Sequence, residues 1–218
     1  MAMVSGSHNF VYISGGRNAT GSVKAGLLQA IPGLKYFDPA KKNNQLWKKY
    51  DKHMPARHIR KHIGEELWDK SFKFTFIRNT YSWVVSSYFF WVKIGRNRMP
   101  KGGIMNMKCF EEVVKYYKTP VGRRHDECSN IRSQHSYISD ASGKPLLDYI
   151  GHFEQLQSGF NHICKTIGVK SIELPRQNKS HASKRDWKDH YRQNPEAQAF
   201  VYKHWKRDID ALDFTLEL

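Results

Sequence analysis

The chain has 218 residues, with 36 Lys and Arg against 20 Asp and Glu, a formal net charge of +16. That length suits one domain with a substantial core, and a content of 39% hydrophobic and 13% aromatic residues excludes a disordered basic tail, which lacks bulky apolar side chains. No run approaches the roughly 18 uninterrupted apolar residues of a membrane helix, and the opening MAMVSGSHNFVYISG lacks the charged region of a signal peptide. The expectation is a cytoplasmic protein without a transmembrane segment.

Met1 to His8 show no structural pattern and are expected to lie outside a single domain spanning 9–218, as a disordered leader or residues foreign to the natural chain. Phe10 to Ile13 is a short β-prone run. The polar turn Ser14-Gly15-Gly16-Arg17-Asn18-Ala19-Thr20-Gly21-Ser22 follows, and then Val23, Leu27, Leu28 and Ile31 recur at helical spacing before Pro32-Gly33. A Gly-rich turn between strand and helix aims backbone N–H groups and the positive end of the helix dipole at one point, which suits a phosphate or sulfate. A nucleotide triphosphatase would need GxxxxGK[ST]. Gly16 to Gly21 supplies GxxxxG, but Ser22-Val23 follows, so the Lys is missing and a P-loop kinase is excluded. The basic residue is Arg17 instead. A plain glycine turn would read the same in isolation.

Residues 41 to 70 are basic and helical in part, because Ile59, Ile63 and Leu67 recur every four positions. Phe72 to Ile77 is the strongest strand, with an apolar helix over Tyr81 to Val92 behind it. Residues 95 to 108 read as a loop and Glu111 to Lys118 as a short helix. Leu146 to Phe153 reads as a strand, Leu156 to Ile167 as a helix stopped by Gly168, and Pro195 to Leu212 as a final helix. This alternation predicts an α/β fold with a central, mostly parallel sheet flanked by helices.

Three widely spaced cysteines, Cys109, Cys128 and Cys164, suggest neither a disulfide framework nor a CxxC metal site. The sequons at Asn18 and Asn178 both fall in segments read as ligand-binding, so a reducing compartment without glycosylation is the simpler reading. The charge asks for an anionic partner, and nucleic acid, a phosphorylated nucleotide, a sulfated sugar or an anionic membrane would each satisfy it.

In Phe74-Thr-Phe-Ile-Arg78-Asn79-Thr80-Tyr81-Ser82-Trp83-Val84-Val85-Ser86-Ser87-Tyr88 a β-run ends in Arg, and a hydroxyl follows eight residues later, about two helical turns on. Here the sequence resembles the carbohydrate-type sulfotransferases, with their pattern F-x-F-V-R-N-P-[WY]-D-R-x-[VI]-S-x-Y. The first loop aligns without a gap on their I-S-N-P-K-x-A-S-T-S-I. In order along the chain, Lys52-His53-Met-Pro-Ala56-Arg-His-Ile-Arg60 is similar to K-H-x-P-A-x-x-I-R. Tyr149-Ile-Gly-His-Phe-Glu154-Gln-Leu156 is similar to D-x-I-G-R-F-E-N-L, Leu174-Pro-Arg-Gln-Asn178-Lys179-Ser180 to L-P-H-x-N-K-S, and Asp208-Ile-Asp-Ala-Leu-Asp-Phe214 to D-I-x-x-F-G-Y. The resemblance implies a P-loop-like domain that moves a sulfuryl group from 3′-phosphoadenosine 5′-phosphosulfate to an acceptor hydroxyl, with no metal. It also implies the site: Gly16, Arg17, Asn18, Ala19, Thr20, Gly21 and Ser22 around the 5′-phosphosulfate, Arg78 and Ser86 on the 3′-phosphate, and a loop with Lys179 and Ser180 closing over the nucleotide. The chain departs from the pattern at Arg17 for Lys, Thr80 for Pro, Ser82-Trp83 for Asp-Arg and His152 for Arg.

Sulfuryl transfer is an in-line displacement in which charge builds on the leaving phosphate oxygen and the attacking hydroxyl loses a proton. Fixed cations and positioning should dominate, by analogy with phosphoryl transfer. Arg17 would serve the leaving group, although Arg does not mimic the point charge of Lys. His53 holds the position where the resemblance places the general base, with His135 and Glu154 as alternatives. His58 and His62, at i and i+4, read as a solvated face of a basic helix. The acceptor stays open between an anionic glycan, a lipid head group and a small alcohol, and oligomeric state is silent. A non-catalytic module binding nucleic acid or another polyanion is the alternative, using charge and aromatics alone and showing steep salt dependence.

Overall fold

The computed structural model describes residues 2–38, 53–87, 89, 133–175, 186–192 and 195–215. The expected loop at 95–108, the helix at 111–118 and the Lys179–Ser180 loop lie outside the described residues. The fold is α/β. Four strands, β1 (Met3–Ser5), β2 (Phe10–Tyr12), β3 (Phe72–Ile77) and β4 (Tyr149–His152), form one sheet in the order β1-β2-β3-β4. β2, β3 and β4 run parallel, and β1 is antiparallel to β2.

Strand alternation sorts the core onto two faces. On one, Phe10, Tyr12, Phe74 and Phe76 pack against Val23 and Leu27 of the Thr20–Ala30 helix and Phe160 and Ile163 of the Leu156–Thr166 helix. Gly26 lets those two helices meet, since a Cβ there would stand 2.9 Å from Phe160 Cζ. On the other face, Val11 and Ile13 pack on Met54, Ile59 and Trp68. A third cluster joins Tyr81, Trp83, Val84 and Val85 to Val201, Trp205 and Ile209 of the Pro195–Ala211 helix.

Three expectations need correction. Residues 2–8 are not a disordered leader: Met3 and Val4 are fully buried, Val4 exchanges both backbone hydrogen bonds with Phe37 at 3.0 and 2.9 Å, and Ser5 Oγ donates to Lys35 O. Three residues are too few to display alternation, so this strand has no sequence signature. The pattern of Ile59, Ile63 and Leu67 is not one helix but two, Ala56–Ile63 and Glu65–Lys70, broken where Gly64 takes a φ of 84° that favours glycine. The strand expected over 146–153 covers only Tyr149–His152; Leu146 N instead bonds Ile138 O, and Phe153–Gln155 turns as a 3-10 helix.

Candidate functional site

The site forms at the carboxyl ends of the parallel strands, where an open α/β sheet leaves main-chain ends and loops facing a crevice. The loop after β2 is wound tightly, with Arg17 at φ 64° and Ala19 at φ 56°, both left-handed. Ala19 begins the Thr20–Ala30 helix without a side-chain cap hydrogen bond, and the positive end of the helix dipole lies at this loop. Thr20 Oγ1 donates to Gly15 O at 2.9 Å, and Tyr12 lies hydrogen-bonded to Thr20 beneath, its phenol raised well above its usual value by burial. Trp83 Nε1 donates to Gly16 O at 2.8 Å, so the residue standing where the resemblance expects Arg anchors the loop from behind.

Arg17 and Ser86 come together: Arg17 Nε and Nη2 both donate to Ser86 Oγ, at 3.2 and 3.1 Å. Ser86 therefore meets Arg17, whereas the resemblance grouped it with Arg78. Arg78 leaves the end of β3, and its Nε donates to Ser82 Oγ at 2.8 Å while its guanidinium lies 4.4 Å from the centre of the Phe153 ring. Burial pulls Arg78 down to about 10; Glu154 opposes that shift and Arg17 adds to it. Burial lowers Arg17 as well. These two partly desolvated guanidiniums repel each other, and an anion beside them would relieve both costs.

The helix over 80–87 is capped by Asn79, whose Oδ1 accepts from Tyr81 N at 3.0 Å and Ser82 N at 3.4 Å. Glu154 Oε1 accepts from Asn79 N at 3.0 Å, so this carboxylate braces the strand end that carries Arg78. Thr80, in place of the pattern's Pro, is fully buried, and its Oγ1 has no hydrogen-bond partner among the described residues.

His53 sits at the loop's first residue, its Nδ1 3.0 Å from Ser14 O and 3.4 Å from Ser14 Oγ. A carbonyl only accepts, so Nδ1 carries a proton, and in the neutral ring Nε2 then carries the lone pair, the tautomer a general base needs. His135 is placed differently: it is buried, its ring lies beside Ser139 Oγ at 3.2 Å, and its backbone N–H donates to Asp208 Oδ1 at 3.0 Å. His62 is exposed, and His58 accepts from Arg57 Nε at 3.3 Å.

Sequence reasoning missed Gln134 and the use of Asp208. Gln134 Oε1 accepts from Asn18 Nδ2 and from Arg78 N, each at 2.9 Å, and Gln134 Nε2 donates to Arg78 O at 2.7 Å. Fully buried Asp208 accepts from Ser133 Oγ, from Gln134 N at 2.8 Å and from His135 N at 3.0 Å, capping the Gln134–Ile138 helix. Among the described residues no group of three or more His, Cys, Asp or Glu could hold a metal ion, and no helix is long and apolar enough to cross a membrane.

A family model described as the sulfotransferase family matches residues 2–215. An uncharacterised protein of Archaeoglobus fulgidus is 28% identical over 120 residues, 53% of this chain and 83% of that protein. The crystal structure of a sulfotransferase from Alicyclobacillus acidocaldarius aligns with 95% of this chain and 96% of its own at 16% identity, with a TM-score of 0.42.

Proposed function

The chain belongs to the sulfotransferase family, and from that premise we propose that it transfers the sulfuryl group of 3′-phosphoadenosine 5′-phosphosulfate to an acceptor hydroxyl, with His53 as the general base. The observation that carries this reading is the bond from His53 Nδ1 to Ser14 O, which holds a base-ready imidazole at the first residue of the anion-binding loop. In the reaction, the acceptor oxygen forms a bond to sulfur as the bond from sulfur to the phosphate oxygen breaks. His53 Nε2 takes the hydroxyl proton, and the Ser14 carbonyl favours the resulting imidazolium by holding Nδ1–H. Arg17 and the loop amides meet the charge that builds on the leaving phosphate, in a site where partial burial strengthens each contact. Arg78 holds the 3′-phosphate, and Ser86, which accepts from Arg17, serves the same nucleotide. Lys179 and Ser180 complete the nucleotide contacts.

The test is transfer from this donor to a panel of hydroxyl acceptors, read as sulfated product. His53→Ala should lower turnover by roughly 10² to 10⁴ while binding adenosine 3′,5′-bisphosphate nearly as well as the unchanged protein. His58→Ala and His62→Ala should each change turnover by less than about threefold. Full turnover in His53→Ala would remove His53 as the base, and absence of any sulfated product or nucleotide binding would remove the donor assignment.

A further inference from the structure

We propose that Gln134 is a positioning residue that sets the distance between the two halves of the nucleotide site, its single carboxamide tying Asn18 of the loop to the main chain of Arg78. The inference rests on the donor reading above and adds to it a residue that touches neither reacting atom. Gln134 is 4% exposed and Asn18 2%. Gln134 Oε1 is shared between Asn18 Nδ2 and Arg78 N, while Nε2 returns a bond to Arg78 O, so the carboxamide pairs with Arg78 as a neighbouring strand would. Its own main chain is fixed in turn by Asp208, which accepts from Gln134 N.

Neither end of this clamp can move without leaving a buried polar group unpaired. Arg17 is adjacent to Asn18 in the loop, and Arg78 is the other end of the clamp, so the two cations are held at one separation before ligand arrives. A ligand with an anionic group at each end then makes its second contact without reorganising the protein, whereas a ligand with one anionic group gains nothing from that separation. The selectivity between those ligand types is what a merely structural glutamine would leave unchanged.

Calorimetric titration of the full chain with adenosine 3′,5′-bisphosphate, adenosine 5′-monophosphate and adenosine 3′-monophosphate tests this. In Gln134→Ala, the bisphosphate should weaken by roughly tenfold or more and each monophosphate by less than about threefold. Asn18→Ala cuts the loop end of the clamp, should weaken the bisphosphate more than either monophosphate, and carries the test if Gln134→Ala does not fold. The double variant should weaken the bisphosphate no further than the worse single variant. Equal weakening of all three ligands, or additive losses in the double variant, overturns the positioning role while leaving the donor reading intact. An unchanged protein that binds the bisphosphate no tighter than the monophosphates overturns the donor reading, and this inference falls with it, before any variant is made.

Discussion

The layer between the sheet and the helices at 20–30 and 156–166 is built from Phe10, Phe74, Phe76, Phe160, Val23, Leu27 and Ile163, while the layer at the carboxyl ends of β2 and β3 buries Asn18, Thr80, Ser82, Ser86, Ser87, Gln134 and Asp208. Both exclude water. The first is held by contact and by area removed from solvent, terms that demand no specific orientation but punish a void. The second is held by directed bonds and by charges kept partly out of water, terms that are unfavourable unless every partner is present. Cohesion belongs to the aromatic layer, and readiness for an anion belongs to the polar one.

Substitutions can break that division. Phe160→Ala should have the largest effect, about 3 to 5 kcal/mol of lost stability. Any surviving folded protein should keep its preference for the bisphosphate over adenosine 5′-monophosphate; a changed preference in denaturant and binding titrations would show that the two layers are coupled.

Arg78→Met should do the reverse. It should cost about 2 to 5 kcal/mol of bisphosphate binding, because a charge-assisted contact in a desolvated site is lost, and far less with the monophosphate. Folding depresses this guanidinium to about 10, so Arg78's contribution to stability is complete only above its ordinary value and is lost as pH falls through about 10. At neutral pH its charge is a cost, and the free variant should melt no lower than the unchanged protein. A large drop in melting temperature would mean that Arg78 serves the fold.

Asp208→Asn should cost roughly 1 to 3 kcal/mol, since a group capping three donors becomes one that presents a donor itself. Burial raises the Asp208 carboxyl above its usual range against the opposing bonds from Ser133, His135 and Gln134. The native state therefore binds this proton more tightly than the unfolded one. The contribution is present in full below the ordinary carboxylate pKa and fades as pH rises through the folded value. Urea titrations across that window should show the stability difference between the two proteins shrinking with rising pH; a growing difference would reverse the assigned shift.

The smallest effect is a gain. Thr80→Val removes a buried hydroxyl that has no partner among the described residues and keeps the shape, so stability should rise by about 1 kcal/mol, or roughly 2 to 4 °C in Tm. A loss would place an unseen partner on Thr80 Oγ1.

The elements whose apolar spacing is long enough to carry a period were legible from the residues: β2, β3, the helices beginning at Thr20 and Leu156, and the final helix. So was the turn that joins β2 to the first helix, because Gly15, Gly16 and Gly21 stand between a β-prone run and a helical spacing. β1 was not, since three residues have no period. The break at Gly64 was hidden because Ile59, Ile63 and Leu67 keep helical spacing on either side of it. Gln134 carries no local signal at all: its meaning comes from Asn18 and Arg78, both far away in the chain. Ser82 and Trp83 looked like losses from a charged pattern, yet Ser82 accepts from Arg78 Nε and Trp83 holds the Gly16 carbonyl, so neutral groups perform the holding.

Asn18 and Gln134 are separated by 116 residues, Arg17 and Ser86 by 69, and Gln134 and Asp208 by 74. On a ribosome, the strands and the first helix are therefore complete long before the polar layer at the carboxyl ends of β2 and β3 can be. At about 5 to 20 residues per second, roughly 4 to 15 seconds pass between the synthesis of Gln134 and that of the carboxylate that caps its helix. Until Asp208 emerges, the backbone N–H groups of Gln134 and His135 lack this acceptor, and the clamp between loop and strand cannot be fixed. An anionic ligand that needs this clamp therefore cannot act as a template for the folding that precedes the synthesis of Asp208.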